Sequence, residues 1–185
     1  SAMFEAMMTF LAGRYSNKES LVMGWILGNE VNSPGIWNYG GDASMSKYMS
    51  NYARAYRIAY NAVKSASKYS NVYISLDHNW NLDADNDGNK YFTAKSTLDT
   101  FYQTVNKYGK VPFKIAFHAY PQGLADPVFW DDSMAVNSDQ SKIITFRNLS
   151  VLTKYVKKQF GKNYTIMLSE QSFNSTKGEE VQAAA

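Results

Sequence analysis

Apolar and polar residues follow one another along this chain in blocks whose period switches between helix-like and strand-like. Residues 1–14 place Met3, Phe4, Met7, Met8 and Leu11 three and four positions apart and predict a helix. Residues 21–28 (LVMGWILG) form a near-continuous apolar run of strand length. Helical period returns over residues 44–67, with Met45, Tyr48, Met49, Tyr52, Tyr56, Ala59 and Val63 on one stripe. VYISL (72–76) predicts a second strand, and Leu98, Phe101, Tyr102 and Val105 mark the next helix. FKIAF (113–117) predicts a third strand, Leu149, Leu152, Val156 and Phe160 a further helix, and YTIML (164–168) a fourth strand. A last helix begins after Gly178.

Strands that alternate with helices of this length imply right-handed βαβ units and a parallel sheet, so the fold class is α/β. Because the strands read apolar throughout, they are expected to be buried on both faces. No linker, low-complexity tract or compositional shift divides the chain, and residues 1–185 are read as a single domain. Two loops are long, 31–43 and 120–140. Each follows a strand and holds a tryptophan, Trp37 and Trp130 respectively, as loops lining a binding site often do.

Polar side chains gather where strands end. Asn29 and Glu30 follow the first strand, Asp77, His78, Asn79 and Trp80 the second, His118 and Tyr120 the third, and Glu170 and Gln171 the fourth. In a parallel sheet all carboxyl ends share one edge, so distant residues are delivered to one cleft. Taken singly, a glutamate after a strand is an ordinary helix cap or solvated loop residue, and a lone histidine an ordinary hydrogen-bonder. Taken together, two carboxylates directly after apolar strands need partners or a task. Two carboxyl groups across an aromatic-walled cleft suit glycoside hydrolysis. One protonates the leaving oxygen, and the other attacks the anomeric carbon or activates water.

On these residues the chain resembles the clan A retaining glycoside hydrolases. GWILGNEVN (24–32) is similar to the clan's fourth-strand ending, FHAYP (117–121) to its sixth and LSEQSF (168–173) to its seventh, with SLDHNW (75–80) in the fifth-strand place. The resemblance implies part of a (β/α)8 TIM barrel, roughly the fourth to seventh strands, and so about half of a barrel that typically spans about 250 residues. It implies Glu30 as acid/base, Asn29 on the sugar 2-hydroxyl and Glu170 as nucleophile, oriented by Tyr120. His78 and His118 would be active-site hydrogen-bonders, with Trp37, Trp80 and Trp130 as sugar platforms. The implied partner is a carbohydrate substrate, and the implied location is secreted or cell-surface. A half-open barrel exposes parallel edges, so self-association, and weak or absent catalysis by the piece alone, are expected. The alternative is a non-catalytic carbohydrate-binding protein on the same scaffold.

Composition narrows the remaining classes. The chain has 185 residues and a formal net charge of +3, with no basic run to suit nucleic acid or an anionic membrane. No apolar stretch is long enough to span a bilayer. The absence of cysteine excludes disulfides and thiol catalysis. Fourteen Tyr, 10 Phe and 4 Trp beside only 19% charged residues leave rings to spare for gripping the apolar faces of sugars. No metal-ligand spacing or nucleotide-binding glycine turn appears, so no metal or cofactor is expected. Asp83, Asp85, Asp87 and Gly88 match the opening of a calcium loop, but its twelfth position is Ala94 where a glutamate is needed, which favours a solvated turn. There is no G-x-S-x-G elbow. The sequons at Asn148 and Asn163 fall in or beside regular structure, and that at Asn174 is a short pattern of high chance frequency.

Overall fold

The computed structural model describes residues 1–84 and 89–185. The calcium-loop motif around Asp85 and Asp87 therefore lies largely outside the described residues. Four strands, β1 (Gly24–Leu27), β2 (Asn71–Leu76), β3 (Lys114–Phe117) and β4 (Ile166–Leu168), pair in parallel in the order β1-β2-β3-β4. The helices α1 (Ala2–Tyr15), α2 (Met45–Ala66), α3 (Ala94–Val105), α4 (Leu149–Phe160) and α5 (Glu179–Ala184) alternate with them. Each crossover joins spatial neighbours, as successive right-handed βα units do.

Local chemistry explains the helix starts. Ser1 Oγ accepts from the Phe4 N–H in α1, and Thr93 Oγ1 accepts from Ser96 N–H in α3. The α2 stripe is buried as its spacing predicts, from Tyr48 and Met49 through Tyr52, Tyr56 and Ala59 to Val63. Between α2, α3 and β3 the rings of Tyr56, Phe101 and Phe113 pack edge-on, with centroids 4.9 and 5.2 Å apart. Each such pair contributes about 0.5–1.5 kcal/mol beyond its area.

Two expectations need correction. Burial on both faces holds for β2 and β3 but not for β1 and β4: Ile26 is 44% exposed, and every β4 residue is only half-buried. Among the described residues the outer strands have a strand neighbour on one side only, so apolar sequence alone does not enclose them. In α1 only Met8 and Ala12 are buried, while Met3, Met7 and Phe10 face outward.

Candidate active site

Ladder hydrogen bonds continue past the strand ends and set the site's register. Val31 N–H donates to Ser75 O (3.0 Å), His118 N–H to Leu76 O (2.9 Å) and Ser169 N–H to Phe117 O (3.3 Å). Glu30 is thereby delivered beside β2, and Glu170 beside the end of β3. The turn out of β1 is sharp. Gly28 has φ +77°, and a Cβ there would lie 2.6 Å from Asn38 Oδ1, so glycine is required. Glu30 itself has φ +42°, in the left-handed region that a non-glycine residue enters at a cost.

The two glutamates meet at one ring. His118 Nδ1 lies 2.8 Å from Glu30 Oε1 and 3.4 Å from Glu170 Oε2. Only the first contact is a hydrogen bond: Nδ1 donates to Glu30 Oε1, and Glu170 Oε2 stands at ion-pair distance beside it. The Glu30 side chain is 11% exposed, whereas that of Glu170 is 47% exposed and open to the cleft. Tyr120 donates its hydroxyl to Glu170 Oε1, and its pKa is pushed up to about 12 by burial and by the carboxylates nearby. The Tyr120 backbone carbonyl accepts from His78 Nδ1 at 2.7 Å, which orients the second histidine.

These groups floor a cleft of about 470 Å³. Asn29, Glu30, His78, Tyr120 and Glu170 line it, and Trp37, Tyr91 and Leu124 add apolar wall. Its lining also includes Asp77 and no Lys or Arg among the described residues. Asp77 is the anchor of the walls. Its carboxylate accepts from Asn32 Nδ2 (2.7 Å), the Asn79 N–H (2.8 Å) and side chain (2.9 Å), and Ser33 Oγ (3.3 Å). Asn32 Oδ1 accepts in return from the Asp77 N–H, and Asn32 O from the Phe92 N–H. That network clamps the loop bearing Trp37 to the end of β2.

The tryptophans separate. Trp37 is 54% exposed and stands in the cleft wall. Trp80, expected as a sugar platform, is instead fully buried, edge-on to Tyr155 at 5.0 Å, and has no face to offer a ligand. Trp130 packs beside Phe129 at 5.4 Å and is not among the residues lining the cleft. Sequence reasoning gave no role to Ser75, Tyr91 or Leu124. Ser75 carried a signal, a hydroxyl inside an otherwise apolar strand, whereas Tyr91 and Leu124 sit in loops whose course the sequence does not specify. Among the described residues no group of three or more His, Asp or Glu is arranged to hold a metal ion. No described helix is long and apolar enough to cross a membrane.

Fold and neighbours agree on a class. The parallel sheet with its alternating helices matches part of a TIM barrel, and the solved structures it resembles are glycoside hydrolases. A fungal beta-1,4-galactanase superposes with a TM-score of 0.56 at 16% identity, covering 98% of this chain and 51% of its own. A glycoside hydrolase family 44 endoglucanase from Clostridium thermocellum gives 0.51 at 18% identity, covering 88% and 39%. A family 44 xyloglucanase from Paenibacillus polymyxa gives 0.52 at 15%, again covering 88% and 39%. The chain thus spans about half the length of the galactanase and less of the other two. By sequence, residues 1–185 belong to the family of unknown function DUF5722. No curated protein matches the chain.

Proposed function

We infer that this chain carries the catalytic face of a glycoside hydrolase cleaving O-glycosidic bonds of a polysaccharide or oligosaccharide. The observation that carries the reading is the convergence of Glu30 and Glu170, from opposite edges of the sheet, on the His118 ring, with carboxylate oxygens 2.8 and 3.4 Å from its Nδ1. Oxygens held 2.8 and 3.4 Å from one nitrogen are no more than about 6 Å apart, which favours the retaining spacing of about 5–5.5 Å over the inverting one of roughly 6.5–9.5 Å.

In that reaction Glu170, exposed to the cleft, attacks the anomeric carbon while Glu30 gives its proton to the departing oxygen. Water, deprotonated by Glu30, then releases the sugar from the glycosyl ester and restores both groups. Asn29 would hold the sugar 2-hydroxyl, and Trp37 a sugar face. A cleft lined, among the described residues, by three carboxyl groups and no Lys or Arg favours uncharged sugars over uronates. A polymer substrate implies a secreted or cell-surface enzyme, which immunodetection on intact cells and in the medium checks.

The test uses the complete protein. Glu30→Gln should lower kcat by about 10²- to 10⁴-fold, and Glu170→Gln should leave no glycosyl-enzyme to accumulate. Hydrolysis of every glycan surviving both changes would refute the reading. Glycan affinity without any hydrolysis would replace the enzyme with a binding module on the same scaffold.

A further inference from the structure

Ser75 lies in β2 between Ile74 and Leu76 and is fully buried. Its hydroxyl serves neither the sheet ladder nor the core. Oγ accepts the Glu30 N–H at 3.0 Å and sits 3.2 Å from His118 Nε2. It therefore touches the backbone of one glutamate and the far side of the ring that faces both.

The donor and acceptor count fixes the directions. His118 Nδ1 donates to Glu30 Oε1 and so holds the ring hydrogen, while Ser75 Oγ, already the acceptor of the Glu30 N–H, has its own hydrogen to give to Nε2. The Ser75 O–H fills Nε2, and a lone pair of the same oxygen takes the Glu30 N–H. That N–H belongs to the residue held at φ +42°, a conformation that persists only where its surroundings impose it.

We propose that Ser75 is the positioning residue of the glutamate pair: one buried hydroxyl sets the tautomer of His118 and holds the left-handed backbone of Glu30, so that the ring N–H is aimed at Glu30 with Glu170 beside it. Its catalytic consequence rests on the glycoside hydrolase reading, while the tautomer does not. Unlike Tyr120, Ser75 touches neither the cleft nor any position open to substrate.

The chain has only two histidines, so nitrogen NMR of isotopically labelled histidine resolves His118 against His78. Near neutral pH the unaltered chain should show His118 protonated at Nδ1 and bare at Nε2. Ser75→Ala should displace the Nε2 resonance and mix the tautomers, whereas Ser75→Thr, which keeps the hydroxyl, should preserve the pattern. In the complete protein Ser75→Ala should lower kcat tenfold or more with KM little changed, and Ser75→Thr should recover most of it. A wild-type ring protonated at Nε2, or a pattern unmoved by Ser75→Ala in a folded chain, overturns the proposal. If Ser75→Ala does not fold, the wild-type spectrum and Ser75→Thr still decide. Absence of hydrolysis in every variant refutes the enzyme reading and leaves the NMR result standing.

Discussion

The Tyr120 hydroxyl lies 2.9 Å from Glu170 Oε1, joining the end of β3 to the end of β4 across the mouth of the sheet. With its pKa pushed up to about 12, this hydroxyl stays a donor throughout the range in which a glycosidase is assayed. Tyr120→Phe removes a hydrogen bond to a charged group, a loss of about 1.5–3 kcal/mol, or about 10- to 100-fold in kcat/KM. Steady-state kinetics of the complete protein check this, and an unchanged kcat/KM would remove Tyr120 from the machinery.

Asn32→Ala should loosen the cleft wall before it unfolds the chain. The substitution withdraws the side-chain donor to Asp77 Oδ1 and the acceptor of the Asp77 N–H, both buried. A stability loss of about 1–3 kcal/mol is expected by denaturant titration. Glycan affinity should fall with it, because Trp37 rides on the released loop, and equal affinity in the variant would show that the clamp does not govern the wall.

The tryptophans should divide by role. Trp37→Ala should weaken glycan binding by about 0.5–1.5 kcal/mol or more, with melting little changed. Trp80→Ala should do the reverse in kind, costing about 3–5 kcal/mol of stability through the cavity left beside Tyr155. Trp130→Ala should leave affinity alone. Calorimetric titration beside thermal melts separates the three.

Stability should decline on the alkaline side through buried phenols. Burial pushes Tyr48 up to about 12 and raises Tyr52 and Tyr56 well above their ordinary range. A raised folded-state value means stability that is whole below the unfolded phenol's pKa of about 10 and is lost as pH climbs from there through 12 and beyond. Phenolate absorbance and circular dichroism should therefore change together above about pH 10. Ionisation of Tyr48, Tyr52 and Tyr56 themselves near 10 with the fold intact, followed by NMR of labelled tyrosine, would contradict the burial.

This chain by itself should self-associate. Met3, Met7, Phe10, Met23 and Ile26 are exposed along α1, the approach to β1 and β1 itself, and the outer edges of β1 and β4 have no strand partner among the described residues. Light scattering across a concentration series should show mass rising with concentration, and Ile26→Lys should reduce it. A monomer at all concentrations would defeat the expectation.

The sequence was most legible where both faces of an element are enclosed. VYISL and FKIAF match β2 and β3 nearly residue for residue, because burial on both sides leaves apolar side chains no alternative. The run at 21–28 overstates β1, since Leu21, Val22 and Met23 are an exposed lead-in that shares the strand's composition. The positions of Glu30, His118, Tyr120 and Glu170 relative to strand ends could be read directly, and the structure brings all four together. Trp80 could not be placed, because a ring four residues after a strand turns inward or outward according to what packs behind it, here Tyr155. Ser75 escaped notice because one hydroxyl in an apolar strand does not announce what it bonds.

The Asp77 clamp has a consequence for how this protein diversifies. The glutamates hang from the strand ladder and Ser75, whereas Trp37 hangs from Asn32, Ser33 and Asp77, and the two supports meet where the Ser33 N–H donates to Glu30 O. On the proposed reading, changes beyond Ser33 would reshape the wall that Trp37 gives the cleft, whereas a change at Ser33 itself would reach the backbone of Glu30 as well.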